Sequence, residues 1–213
     1  MTAVALPRYS LGEEIANAVT HGVGIVLAIA GLAVLSAFAA LHGDAAHMVG
    51  SAMFGAALVA CYTTSTLYHA IPLQRVRQVL RALDHSAIFL LIAGTYTPFA
   101  LVSLRGALGW TMLALIWASA AYGIWRAWRR THDRAHSALP FALMGWLGLV
   151  AVVPLTQALG WSGMLWLAVG GLSYTVGIVF YANDERWRHA HGVWHLFVLG
   201  GSASHFVTVL LFV

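Results

Sequence analysis

Long apolar runs alternate with short polar segments along the whole chain. A helix that crosses a bilayer needs roughly 20 apolar residues, and seven of the runs reach that length. They cover about residues 15–41, 46–70, 80–103, 108–128, 138–159, 161–181 and 191–213. The runs lack the polar–apolar alternation of a transmembrane β-strand. The pattern predicts an all-α fold: one integral membrane domain, residues 1–213, built as a seven-helix transmembrane bundle.

Composition narrows the class of protein. Hydrophobic residues make up 61% of the 213 residues and charged residues 8%, against about 25% charged in an ordinary soluble domain. A soluble enzyme or a disordered chain is therefore excluded. Cys61 is the only cysteine, which excludes a disulfide scaffold. The few basic residues are dispersed, so we expect membrane lipid and no nucleic acid as a partner.

The arginines predict the orientation in the membrane. With seven spans, ten of the 11 arginines fall on one side of the bilayer. These ten are Arg8, Arg75, Arg77, Arg81, Arg126, Arg129, Arg130, Arg134, Arg186 and Arg188. Only Arg105 falls on the other side. The positive-inside rule then places the N-terminus in the cytoplasm and the C-terminus outside it. The first ten residues lack the pattern of a secretory signal peptide.

Polar side chains recur at the cytoplasmic ends of four spans. Ionisable groups at membrane depth are costly and are functional candidates by default. The four sets are Glu13, Asn17 and His21 in span one, Ser65 and His69 in span two, Asp84 and His85 in span three, and His191 and His195 in span seven. Residues four apart share one helix face. We therefore expect these side chains to meet in one layer just inside the membrane.

The histidines in this layer suggest a metal site. His191 and His195 supply two ligands from one face of a helix, and His69 supplies a third. Three histidines and a water form a catalytic zinc arrangement. Asp84 is then the candidate to hold the water and act as general base, and the Ser65 hydroxyl to orient the water or donate to an oxyanion.

Each of these residues also has a structural interpretation. His191 follows other polar residues and would suit the membrane–water interface. Ser65 would bond its own helix backbone, and Asp84 would interact with a helix N-terminus. His205 lies ten residues beyond His195, about 15 Å along a helix. We therefore predict an interhelical hydrogen bond for His205 instead of a role as metal ligand.

Four ordered motifs resemble the hemolysin III proteins of bacteria. They are EEIANAVTHG at 13–22, STLYH at 65–69, DHSAIFLLIAGTYTP at 84–98 and HGVWH at 191–195. Those proteins belong with the progestin and adipoQ receptor family, and alkaline ceramidases are more distant relatives. The resemblance covers nearly the whole chain.

The resemblance implies a seven-helix bundle in the bacterial inner membrane, with an intramembrane zinc site near the cytoplasmic face. It implies that His69, His191 and His195 are the zinc ligands. It further implies that Asp84 holds the water beside the Ser65 hydroxyl. Glu13, Asn17 and His21 match the bacterial branch and are expected to support the site's edge.

Three functions remain open at this point. The first is a zinc-dependent hydrolase of a lipid amide or ester, as the ceramidases suggest. The second is a membrane sensor or homeostasis protein with structural zinc, whose fourth ligand would come from His21, His85 or Asp84. The third is the cytolysis that the family name suggests, which a chain embedded in its own membrane disfavours as a pore mechanism.

Overall fold

The computed structural model describes residues 9–129 and 138–213, and every regular element within them is a helix. The helices are α1 Leu11–His42, α2 Ala45–Ala70, α3 Gln74–Pro98, α4 Gly106–Arg129, α5 Leu139–Gly145, α6 Val152–Tyr181 and α7 Ala190–Phe212. A π-helical segment, Phe99–Leu104, continues α3, and a 3-10 segment, Trp146–Ala151, continues α5. The arginines at positions 8, 130 and 134 in the orientation argument lie outside the described residues. The all-α prediction is confirmed for the described ranges.

Local sequence signals set several helix ends. Ser10 and Glu13 form a reciprocal capping box at the start of α1, and Asp44 and His47 form another at the start of α2. Hydrogen bonds from His47 lower the pKa of the exposed Asp44 carboxyl to about 2, so this cap stays ionised near neutral pH. Helix α2 ends at Ala70, two residues before Pro72, because proline cannot continue a helix.

Six stretches of helix in the described chain are long and apolar enough to cross a membrane. Five of them match single predicted spans. The sixth, Leu139–Tyr181, has 43 residues and covers both the fifth and the sixth predicted spans. A straight helix of that length would run about 65 Å, about twice the roughly 30 Å hydrocarbon core of a bilayer.

That stretch reverses direction at Gly160. The φ and ψ angles of Gly160 are 66° and 176°, which interrupt the helix. The indole Nε1–H of Trp146 donates to Oγ1 of Thr175 at 3.0 Å, and these residues are 29 positions apart. A straight helix would separate them by about 44 Å. The reversal falls where the sequence predicts the junction between spans five and six.

Helix packing brings the predicted polar layer together. Helix α2 packs between α1 and α3, and α7 packs between α1 and α6. Contacts between Glu14 and His69, and between Glu13 and His189, join the start of α1 to the end of α2 and to the start of α7. At the opposite end, Asp44 lies 4.0 Å from Arg105. Arg77 at the start of α3 also contacts Glu14, so the polar ends of α1, α2, α3 and α7 form one layer.

Small residues allow the helices around this layer to approach closely. A Cβ atom on Gly94 of α3 would lie 2.6 Å from Cβ of Ala57 on α2. One on Gly55 would lie 2.5 Å from Leu32 of α1. Such contacts replace the hydrophobic driving force that is missing between helices in lipid. They hold α2 against both neighbours and so fix the depth of its polar end.

Candidate metal centre

His69, His191 and His195 meet at the polar end of the bundle. One ring nitrogen of each lies within 4.8 Å of those of the other two, and all three residues are buried. Their ring centroids are 4.7 to 5.3 Å apart. His69 comes from the last turn of α2, while His191 and His195 lie one turn apart at the start of α7. The spacing therefore brings together the three predicted ligands.

The Nδ1 atom of His69 is engaged by a carboxylate. It lies 2.7 Å from Oε2 of Glu14. A carboxylate can only accept a hydrogen bond, so Nδ1–H of His69 must be the donor. The proton of the neutral ring is then on Nδ1, which leaves a lone pair on Nε2.

His191 has the same arrangement with different partners. Its Nδ1–H donates to Oδ2 of Asp184 at 2.8 Å, and the hydroxyl of Tyr9 donates to the same oxygen at 2.6 Å. Burial and the Asp184 carboxylate raise the pKa of Tyr9, so its hydroxyl keeps its proton. Burial acts to raise the pKa of Asp184, but hydrogen bonds from His191 and Tyr9 outweigh it and lower the pKa.

His195 is held by the backbone of α1. Its Nδ1 lies 3.2 Å from the carbonyl oxygen of Asn17 and 3.1 Å from Oγ1 of Thr20. The Thr20 hydroxyl donates to backbone carbonyls within α1, so its oxygen is free to accept from the ring. The proton of this ring is therefore also on Nδ1.

The three Nε2 atoms are buried and have no hydrogen-bond partner among residues 9–129 and 138–213. An unsatisfied buried acceptor costs about 1–3 kcal/mol, and here three such lone pairs lie close together. A bound cation removes that cost, because neutral imidazole nitrogens whose other N–H is hydrogen-bonded are metal ligands. The donor set therefore fits a metal ion.

The predicted supporting residues of α1 surround this group. The His21 ring stacks on the His195 ring, with centroids 3.6 Å apart and planes 13° apart. Asn17 contributes its backbone carbonyl to His195, while its buried side chain has no hydrogen-bond partner within the described ranges. Glu13 accepts from the backbone N–H of His189 at 3.0 Å. These contacts place α1 against the start of α7.

Asp84 and Ser65 lie next to each other inside the bundle. Both are buried, and the Ser65 hydroxyl is positioned to donate to the Asp84 carboxylate. No carboxylate joins the three ring nitrogens as a fourth ligand in the part of the chain that the structure describes, and neither does His21 or His85. Asp84 instead lines a cavity in the bundle, which is described below. Its role as base stays a prediction.

Two further histidines have structural partners. Nδ1–H of His85 donates to the carbonyl of Arg81 at 2.8 Å, and its Nε2 lies 3.4 Å from the hydroxyl of Tyr181. His85 thus faces the end of α6. Nε2 of His205 on α7 donates to the carbonyl of Leu167 on α6 at 3.2 Å. This contact confirms the predicted interhelical hydrogen bond.

A cavity of about 240 Å³ extends from the polar layer into the bundle. Its walls come mainly from α3, α5, α6 and α7, and most are apolar. His21 and Asp84 line it near the histidine group, while Phe99 and Leu155 line it deeper in the bundle. The cavity therefore has one polar end and a long apolar wall.

Comparison with known proteins identifies the family. The family model described as "Haemolysin-III related" matches residues 9–206. This chain belongs to the haemolysin-III related family. The hemolysin III resemblance drawn from the four motifs is thereby confirmed, and the match includes every residue of the histidine group and its partners.

Relatives of this hemolysin III family protein span nearly its full length. It is 46% identical over 202 residues to "Hemolysin-3" of Bacillus cereus, covering 94% of this chain and 92% of the relative. It is 42% identical over 205 residues to the "Hemolysin-3 homolog" of Bacillus subtilis (strain 168), covering 96% of each chain. The human "Monocyte to macrophage differentiation factor" is 30% identical over 202 residues, covering 92% of this chain and 83% of that protein.

Four residues that hydrogen-bond the three histidines are not among the candidates from the sequence of this hemolysin III family protein. They are Glu14, Asp184, Tyr9 and Thr20. Glu14 shares a helix face with Asn17 and His21 through spacings of three and four, a signal equal to that of Glu13. Asp184 and Tyr9 lie outside the helices, where helical periodicity gives no signal.

Proposed function

We propose that this protein is a zinc-dependent hydrolase of a lipid amide or ester within the membrane. The observation that supports this most is the open ligand set, with three buried histidine nitrogens and no fourth protein ligand among the described residues. Structural zinc sites are almost always closed by four protein ligands, whereas catalytic sites have three and leave one position for water or substrate.

Zinc is the metal that we propose for His69, His191 and His195. Imidazole also suits copper, iron and nickel, but three neutral histidines with an open position are typical of catalytic zinc. When bound, zinc supplies Lewis-acid polarisation of a carbonyl and makes a bound water more acidic.

Asp84 is our candidate for the general base. Its buried carboxylate lies at the polar end of the cavity, where it accepts a proton from the attacking water and passes it to the leaving group. The Ser65 hydroxyl holds this carboxylate or donates to the developing oxyanion. Two carboxylates that lie nearer the histidines, Glu14 and Asp184, are already occupied by ring N–H groups.

The cavity suggests the class of substrate. Its apolar walls suit an acyl chain, and its polar end, at His21 and Asp84, suits the amide or ester carbonyl. A membrane lipid has this division between a long apolar part and a polar linkage. We infer that the lipid enters from the bilayer with its linkage toward the histidines.

We also propose seven spans, with the N-terminus on the cytoplasmic side of the bacterial inner membrane. The reversal at Gly160 supports counting Leu139–Tyr181 as two spans. The described arginines support the orientation, because only Arg105 lies at the end of the bundle away from the histidines. The metal centre then lies near the cytoplasmic face.

A comparison of two aspartate variants tests the enzyme. We expect the detergent-purified, zinc-loaded protein to release fatty acid from ceramide or phospholipid in mixed micelles. Asp84→Asn should retain zinc and lose about 10²- to 10⁴-fold in rate, the usual contribution of a general base. The matched control is Asp44→Asn at the far end of the bundle, where asparagine caps a helix as well as aspartate does.

Two results would contradict the proposal. An unchanged rate for Asp84→Asn would exclude this residue as the base. A wild-type protein that carries zinc but hydrolyses none of the sphingolipids and phospholipids supplied would favour the sensor with structural zinc.

A further inference from the structure

Both carboxylate oxygens of Glu14 accept hydrogen bonds from other helices. Oε2 accepts from Nδ1–H of His69 at 2.7 Å, and Oε1 accepts from the guanidinium of Arg77. The side chains of Glu14 and Arg77 are 14% and 15% exposed, and that of His69 is fully buried. One carboxylate therefore joins the start of α1, the end of α2 and the start of α3.

The Arg77 guanidinium that contacts Glu14 also packs against an aromatic ring. Cζ of Arg77 lies 5.1 Å from the centroid of the Tyr68 ring, a distance at which a cation is attracted to the aromatic face. The Tyr68 ring also meets the His69 ring edge-on, with centroids 4.8 Å apart. Glu14, Arg77, Tyr68 and His69 thus form a closed set of contacts in which the carboxylate has one preferred orientation.

This arrangement matters because the ring of a histidine side chain is poorly fixed by its own torsions. The final torsion of histidine is broad and roughly two-fold, so helix α2 alone does not decide which nitrogen faces His191 and His195. A hydrogen bond from Nδ1–H to Glu14 selects the orientation in which Nε2 faces them. It also fixes the tautomer and makes the ring a better donor to a metal.

We propose that Glu14 is a positioning residue that sets the metal affinity of the centre by holding the His69 ring. The inference rests on the metal site in the proposed function and is independent of hydrolysis. Arg77 acts one step further away, by fixing the carboxylate of Glu14.

The test measures zinc affinity by chelator competition, together with the absorption spectrum of the cobalt-loaded protein in detergent. We expect Glu14→Ala to weaken zinc binding about 10- to 100-fold, as loss of a partner to a ligand histidine does, and to shift the cobalt bands. Glu14→Gln keeps an oxygen acceptor for Nδ1–H and should recover part of the affinity. Arg77→Gln should lose less affinity than Glu14→Ala.

Two matched controls remove the same charges from exposed positions at the same end of the bundle. They are Glu185→Gln and Arg75→Gln, and both should bind zinc as the wild type does. Shifted cobalt bands in Glu14→Ala or Glu14→Gln support positioning, because a loss of folded protein lowers the band intensity without moving the bands.

The outcomes separate this inference from the metal site. Glu14→Ala with wild-type zinc affinity and wild-type cobalt bands overturns the role of Glu14 and leaves the site intact. Weaker binding with unmoved bands, and no recovery in Glu14→Gln, also overturns positioning. A wild-type protein that binds neither zinc nor cobalt overturns both the site and the inference.

Discussion

The partner of each Nδ1 atom decides what the Nε2 atom of the same histidine can do. His69 and His191 donate to carboxylates, whereas His195 donates to a backbone carbonyl. A carboxylate partner raises the basicity of a ligand ring. A backbone carbonyl in a helix is rigid, so it fixes the orientation of the ring that donates to it. The three rings thus share one tautomer although their partners differ in charge and in flexibility.

We predict that the charged partners contribute more to metal binding than the neutral hydroxyl does. Asp184→Ala removes the acceptor for His191 and should lower zinc affinity by at least about tenfold. Thr20→Val removes only one of two acceptors for His195, because the Asn17 carbonyl remains, and should cost less. Chelator competition on the two purified variants gives both values, and a larger loss in Thr20→Val would contradict this ranking.

The sequence predicts the three histidines better than the residues that hold them. His191 and His195 are recognisable by a spacing of four, and His69 by its place at the polar end of a span. Glu14 was missed because Glu13, beside it, has an equally good spacing to Asn17. Only the rotation of α1 against α2 decides that Glu14 meets His69 while Glu13 meets the backbone of His189, and that rotation depends on packing between helices.

At the scale of elements, the hairpin around Gly160 supplies part of the cavity wall. The chain reverses there, which brings Trp146 beside Thr175, and residues on both sides of Gly160, such as Phe141 and Leu167, line the cavity. The backbone of Gly160 lies in a region that is essentially restricted to glycine. The sequence predicts a junction at the same position, because the two apolar runs together are too long for one span.

Gly160→Ala should therefore destabilise the protein by about 1–3 kcal/mol, the cost of such backbone strain. Space is not the limiting factor, because a Cβ atom at Gly160 would meet no atom within 4 Å among the described residues. Gly145→Ala is the matched control, since Gly145 also has open space but a helical backbone, with φ −65° and ψ −35°. Thermal unfolding in detergent should show a lower Tm for Gly160→Ala alone, and equal Tm values would contradict the strain.

At the scale of the whole molecule, the positively charged arginines are distributed unequally between the two ends of the bundle. The described arginines lie at the end that carries the histidines, except Arg105, which pairs loosely with Asp44 at the other end. In the proposed orientation, an anionic cytoplasmic surface and the positive-inside rule both favour that distribution. The sequence predicts it directly, because the arginine positions need only the order of the spans.

Thiol labelling tests the span count and the orientation together. Trp161→Cys, at a residue that is 83% exposed, should react with a membrane-impermeant maleimide in right-side-out vesicles. Glu185→Cys should react in inverted vesicles instead. The native Cys61 is buried, so labelling of the wild-type protein measures the background reaction. A Trp161→Cys protein that reacts only in inverted vesicles, or in neither preparation, would contradict seven spans with a cytoplasmic N-terminus.

Metal content tests the central claim most directly. The wild-type protein, purified in detergent without chelators, should contain one zinc ion per chain by mass spectrometry of the metal. His69→Ala and His191→Ala should contain none above background, because each leaves only two of the three ligands. His42→Ala, an exposed histidine at the far end of the bundle, should retain the full amount. A full equivalent of zinc in either His69→Ala or His191→Ala would contradict the site.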